Sequence, residues 1–245
     1  MRFIRFSHRP AHPSLWLLCL PYAGGSPSMF AEWNGLLGPG IEAISVEFPA
    51  RGQQMGEKPL VTIRAMARRL ADAFERHQFE PFAVYGHSMG ALVGYEFCIE
   101  LRRRGLPFPR ILFAAAHRSP VKPYPARKLH ALETDQLVEV LRKMGGTPHD
   151  VFSDAELLDY HLPLIRADLK ACETYVHLPA SPLPCDIVGI RGAHDREVSE
   201  EDIAAWGSLT ARDFQLHTLP GDHFFAKSDA EPLVTLLKGA LFEKV

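Results

Sequence analysis

Short apolar runs alternate along the chain with amphipathic stretches, and the two periods predict two kinds of element. The runs "LWLLCL" (15–20), "IEAISVEF" (41–48), "FAVYG" (82–86), "ILFAAA" (111–116), "DIVGIRG" (186–192) and "FQLHTLP" (214–220) are short and apolar or β-branched, as buried strands are. Between them, apolar residues recur at helical spacing, for example from Thr62 to His77. Near-continuous apolar strands separated by helices need cover on both faces, which predicts an α/β fold with an open, mostly parallel central sheet.

Residues Ser119 to Val176 break this alternation. No strand-like run occurs there, and leucines keep helical spacing through "TDQLVEVLRKMGG" and "DAELLDYHLPLIRADLKACETYV". Prolines stop regular elements at its flanks, with Pro120, Pro123 and Pro125 at its start and Pro179, Pro182 and Pro184 after its end. We read a single domain over residues 1–245 with a helical insertion at about 119–176, placed as a lid above the C-terminal ends of the strands.

Composition narrows the choices further. A chain of 245 residues with 47% hydrophobic content suits one sizeable core. The formal charge of -2 provides no basic field for a phosphate backbone, and Arg102, Arg103 and Arg104 are too few to create one, so no nucleic-acid partner is expected. "LWLLCL" is shorter than the ~7 to 15 apolar residues of a secretory signal or the ~20 of a membrane helix, so neither export nor membrane insertion is expected. Cys19, Cys98, Cys172 and Cys185 are scattered without metal-type spacing, as reduced thiols of a cytoplasmic protein would be.

The chemistry centres on "YGHSMGALVGYE" (85–96). A G-x-S-x-G match alone is weak, but here Phe82 to Tyr85 reads as a strand entering it and Ala91 to Arg104 as a helix leaving it. That context predicts a sharp elbow presenting Ser88 at a helix N-terminus, where the dipole and free amides favour an oxyanion. A serine hydroxyl needs an imidazole to take its proton and a carboxylate to orient that imidazole.

Among twelve histidines, His223 in "PGDHFF" follows the last strand and precedes the final helix, where a loop can carry its ring over the sheet edge. His87 lies inside the elbow and points away from the nucleophile. His8 and His12 fall in an N-terminal extension, His130, His149 and His161 in the insertion, and His217 within a strand. Asp195, in "GIRGAHDREVS", follows a strand and precedes a helix near Glu200, giving the chain order Ser, Asp, His. Asp222 ranks behind it, since successive side chains seldom face each other. The Met89 amide after the nucleophile and an amide of "LPYAGG", with Ala23 the candidate, would form the oxyanion hole. His194, next to Asp195, and the pairs His149/Asp150 and Asp222/His223 lack metal-ligand spacing, so no metal is expected.

The segments "LPYAGGSPSMFAEW", "VEFPARGQQMGEKP", "GHSMGALVGYE", "LRKMGGTPHDVFSDAELLDYHLPLIRADLKACETY", "GAHDREVSEEDIAAW" and "LPGDHFF", in that order over about residues 16–226, resemble the type II thioesterases. These are α/β hydrolases that accompany polyketide synthases and nonribosomal peptide synthetases. "PARGQ" and "GAHD" depart from the commoner glycine-bearing forms, away from any triad position. The resemblance implies hydrolysis of acyl groups from the phosphopantetheine arm of an acyl or peptidyl carrier protein, with no cofactor. It implies Ser88, Asp195 and His223 as triad, Ala23 and Met89 as oxyanion donors, and an insertion that shapes the acyl pocket and the arm's channel. A monomer is expected. A medium-chain fatty-acyl thioesterase and a general carboxylester hydrolase are the alternatives that share this triad, and a catalytically dead hydrolase fold would lack one of these parts.

Overall fold

The computed structural model describes residues 4–6, 13–77, 79–126 and 128–242. Among the described residues, seven strands form one sheet: β1 (Ile4–Phe6), β2 (Leu15–Leu20), β3 (Ile41–Val46), β4 (Phe82–His87), β5 (Ile111–Ala115), β6 (Asp186–Gly192) and β7 (Phe214–Leu219). Their spatial order is β1-β3-β2-β4-β5-β6-β7. The strands from β2 to β7 pair in parallel, and β1 runs antiparallel on β3 with Ile4 opposite Val46.

The chain starts β2 at the sheet's interior, moves outward to β3, then returns past β2 to β4 and proceeds the other way. Connections therefore diverge between β2 and β4, which makes their C-terminal ends the topological switch point where open parallel sheets leave a crevice. The loop after β2 and the turn after β4 meet there.

Side-chain alternation explains how the sheet is buried. Leu15, Leu17 and Cys19 of β2 face one hydrophobic cluster and Leu18 and Leu20 the other. On the first face lie α1 (Trp33–Leu37) and, at the chain's end, α9 (Ala230–Phe242). On the second lie α2 (Ile63–His77) and α3 (Met89–Arg104). The arginines closing α3 are engaged within the fold: Arg102 donates to the carbonyls of Ser181 and Pro182, and Arg104 pairs with Glu100 and Asp72 at 2.8 Å each.

Between β5 and β6 the chain forms α4 (Thr134–Met144), α5 (His149–Ser153) and α6 (Ala155–Glu173). Asp154 caps α6, accepting from the amides of Glu156 and Leu157. Leu137 and Leu141 of α4 meet Leu162, Ile165 and Leu169 of α6 in a small core of their own. After β6 come α7 (Glu200–Ala204) and, past β7, α8 (Phe225–Ser228).

Two local readings need correction. The residues before Leu15 read as an extension, yet Ile4–Phe6 forms an edge strand. Three residues are too few to show a period, so the pairing comes from β3's open edge rather than from a local signal. His8 and His12 lie outside the described residues. The elbow is also tighter than predicted, since β4 continues to His87 and α3 begins at Met89.

Candidate active site

Ser88 is the one residue between β4 and α3. Its backbone has φ 52° and ψ −115°, a left-handed conformation costly for a residue with a Cβ. The neighbouring glycines make it possible. A Cβ on Gly86 would lie 2.2 Å from the Gly90 carbonyl oxygen, and a Cβ on Gly90 would lie 2.2 Å from the Leu20 carbonyl oxygen. Strand, elbow and helix thus approach more closely than any side chain would permit.

Three side chains from the ends of three strands form one hydrogen-bonded series. Ser88 Oγ lies 3.0 Å from His223 Nε2, and His223 Nδ1 lies 2.9 Å from Asp195 Oδ2. A carboxylate only accepts, so Nδ1 carries the proton and Nε2 is free to accept from the serine hydroxyl. Asp195, 8% exposed, accepts through Oδ1 from the amides of Glu197 at 2.8 Å and Val198 at 3.2 Å. Burial pushes its carboxyl up, but the His223 hydrogen bond and charge and the two amides outweigh burial and hold it below the usual carboxylate value. Asp222 instead turns to the Phe224 amide at 2.8 Å.

Beneath this series lies a second set of groups. His87 Nε2 is 2.8 Å from the His223 carbonyl oxygen, and His87 Nδ1 is 2.8 Å from the Tyr85 hydroxyl. The carbonyl can only accept, so Nε2 is protonated and Nδ1 accepts from Tyr85. Burial chiefly, with the nearby His223 charge, lowers the His87 pKa to about 3, keeping the ring neutral. His87 is directed into the core beside Tyr85 and Phe225; it holds the His223 carbonyl and meets the His223 ring edge-on, with centroids 6.0 Å apart.

The amides of Ala23 and Met89 donate to no acceptor among the described residues. Met89 opens α3, whose first-turn N–H groups have no intrahelical partner. Ala23 and Ser88 both line a chamber of about 190 Å³ whose lining is mainly apolar, with Leu129, Val140, Leu141, Met144, Ile165 and Leu169 beside Arg118, Glu173 and Glu197. Cys172 also lines it, and burial pushes its thiol well up, so it is a neutral, soft wall. A larger cavity of about 780 Å³ lies on the other side of Tyr22 and Gly146, which border both spaces. The Tyr22 hydroxyl donates to the Gly146 carbonyl at 3.0 Å.

The geometry suits acyl transfer: an imidazole poised to deprotonate a hydroxyl, free amides beside it, and an apolar chamber for the acyl group. Among the described residues, no group of three His, Cys, Asp or Glu side chains is arranged to hold a metal ion. No helix among them is long and apolar enough to cross a membrane. Sequence reasoning missed Tyr85 and His87 as supports, and also Arg51 and Asp168, which hold the loop after β2. Asp168 carried a usable signal: it is an acid at helical spacing from Ile165, on the apolar stripe of α6.

A serine elbow at the switch point of such a sheet defines the α/β-hydrolase fold. The family model for the thioesterase domain matches residues 16–240. The RedJ thioesterase from the prodiginine pathway of Streptomyces coelicolor is 39% identical and superposes with a TM-score of 0.88, over 94% of this chain and 87% of its own. The type II thioesterase BorB from the borrelidin biosynthetic cluster is 33% identical with a TM-score of 0.87, over 96% of each chain. The gramicidin S biosynthesis protein GrsT of Aneurinibacillus migulanus is 35% identical over 86% of this chain and 82% of its own. The chain belongs to the thioesterase family, on its type II branch, and is a thioester hydrolase.

Proposed function

We propose that the protein removes acyl groups from the phosphopantetheine arm of carrier proteins in polyketide or nonribosomal peptide synthesis, using Ser88, His223 and Asp195 as its catalytic triad. The observation that carries this reading is the continuous Ser88–His223–Asp195 hydrogen bonding at the mouth of an apolar chamber. Similarity to RedJ, BorB and GrsT, named for prodiginine, borrelidin and gramicidin S biosynthesis, favours this role over fatty acid synthesis.

His223 Nε2 takes the Ser88 proton as Oγ attacks the thioester carbonyl. The Ala23 and Met89 amides receive the oxyanion, the imidazolium returns its proton to the departing pantetheine thiol, and an acyl-serine remains. Water then enters, loses a proton to His223 as it attacks the acyl carbonyl, and the imidazolium returns that proton to the departing Ser88 Oγ, freeing the acid. Asp195 stays ionised and holds the imidazolium in register. No cofactor enters these steps. The insertion acts as the lid: α4 and α6 wall the chamber for the acyl chain, and the larger cavity beyond Tyr22 admits the arm.

Ser88→Ala tests the assignment. Expected is a folded protein whose turnover on an acyl-CoA falls by roughly 10⁴ to 10⁶, and retention of wild-type turnover would remove Ser88 as nucleophile.

A further inference from the structure

A buried ion pair holds the loop that carries Ala23 from behind. Arg51, in the segment after β3, and Asp168, in the middle of α6, are 3% and 0% exposed, and Arg51 Nη2 donates to Asp168 Oδ1 at 3.0 Å. Each partner also grips the loop after β2. The Gly24 amide donates to Asp168 Oδ2 at 2.8 Å, and Arg51 Nη1 donates to the Gly25 carbonyl at 2.9 Å. One charge therefore fixes an N–H and the other a C=O only a residue apart. Rotating either peptide plane would break a charge-assisted bond that water cannot replace.

Helix α6 contributes a second hold. Ile165, three residues before Asp168 and hence on the same face, packs so closely that a Cβ on Gly24 would lie 2.7 Å from its Cγ1. The same face presents Ile165 and Leu169 to the chamber. Buried ion pairs contribute little net stability, because desolvation offsets their attraction. What this pair does add is direction.

We infer that Arg51 and Asp168 are positioning residues that set the orientation of the Ala23 amide and couple it to α6, the helix walling the acyl chamber. This rests on Ala23 being an oxyanion donor and on Ser88 being the nucleophile. Neither side chain lines the chamber around Ser88, so their route to the reacting carbonyl is the backbone of the loop; Arg51 also borders the larger cavity assigned to the arm, with its side chain only 4% exposed.

The experiment compares wild type, Ser88→Ala, Asp168→Ala and the double variant Arg51→Met/Asp168→Leu. The double variant removes both charges together, a change that buried pairs tolerate better than loss of one partner. Readouts are the thermal midpoint, kcat and KM on one acyl-CoA, and the inhibition constant of the matching acyl trifluoromethyl ketone, which Ser88 would bind as an oxyanion. Expected is a folded double variant whose kcat and ketone affinity both fall at least about tenfold, toward the ~10² to 10³ seen when an oxyanion donor is removed, with KM within about twofold. Wild-type kcat and ketone affinity in a folded double variant would overturn the positioning role, as would a loss confined to KM. If the double variant does not fold, Asp168→Ala, which cannot accept from the Gly24 amide, is assayed below its melting temperature and read by the same criteria. Ser88→Ala separates the two layers: if it keeps turnover, the nucleophile assignment itself falls, whatever the other variants do.

Discussion

His87 donates from Nε2 to the backbone carbonyl of His223 at 2.8 Å, from the last position of the strand that leads into Ser88. The strand that delivers the proposed nucleophile thus also anchors the proposed base. Because His87 sits neutral in the core with a pKa of about 3, this anchor has a pH dependence.

In the unfolded chain His87 titrates near 6.5, so between about pH 6.5 and 3 the unfolded state holds a proton that the folded state lacks. Stability from this site is complete above pH 6.5 and falls with decreasing pH, by about 1.4 kcal/mol per pH unit at most. His117, lowered to about 4 chiefly by burial, acts in the same direction. His87→Gln can keep both hydrogen bonds without titrating. Thermal unfolding of wild type and variant from about pH 7 to about pH 4.5 should show the wild type losing stability more steeply. A wild-type-minus-variant difference that is constant with pH would count against the neutral buried His87.

Asp195 and Asp222 both lie near His223, and the structure separates their roles. Asp195 Oδ2 faces His223 Nδ1, whereas Asp222 closes a turn onto the Phe224 amide. Asp195→Asn should lower kcat by roughly 10³ to 10⁴, since an amide can favour the wrong imidazole tautomer. Asp222→Asn should leave kcat within a few-fold, because an asparagine oxygen can accept the same amide. Steady-state kinetics of the pair decides, and a larger loss for Asp222→Asn would reverse the assignment.

The insertion offers a test of chain-length control. Val140 of α4 lines the chamber, whereas Leu162, equally apolar and on the same helical spacing of α6, packs into the α4–α6 core without lining it. Val140→Trp should lower kcat/KM on a long acyl-CoA at least about tenfold more than on acetyl-CoA, because a short acyl group needs little of the chamber. Equal losses at both lengths would make the insertion's role structural.

The contrast between Val140 and Leu162 marks what can be read from one sequence. The elbow around Ser88 was legible because its requirements are local: a strand, two small residues and a helix within about twenty positions. The order Ser88, Asp195, His223 follows from placing each at a strand's C-terminal end. Arg51 and Asp168 are different. They are 117 residues apart, and alone each charge reads as a solvated surface group. Only the sheet's switch point and the return of α6 over it bring them onto one loop. The same holds for which leucines of α4 and α6 face the chamber, since both faces of the seam carry the same apolar period.

The remaining question for the proposed role is the form in which substrate arrives. Carrier contacts remote from the thioester can be expressed in the transition state as better placement of the arm, so kcat/KM should be higher on acylated carrier protein than on the matching acyl-CoA. A gain of at least about tenfold needs only ~1.4 kcal/mol. The arginines ending α3 are a poor choice for that contact, because Arg102 and Arg104 are already committed to backbone carbonyls and to Asp72, Glu75 and Glu100. Arg103, with its side chain 67% exposed, remains partly available but is paired with Glu100. Arg103→Ala should therefore change carrier-dependent kcat/KM by less than about threefold, the size of an exposed pair's contribution. The measurement compares one acyl group on carrier, on CoA and as a simple oxygen ester at fixed ionic strength. Equal kcat/KM on carrier and CoA would remove the carrier as the preferred substrate. A tenfold loss in Arg103→Ala confined to the carrier would instead place the docking surface at the end of α3.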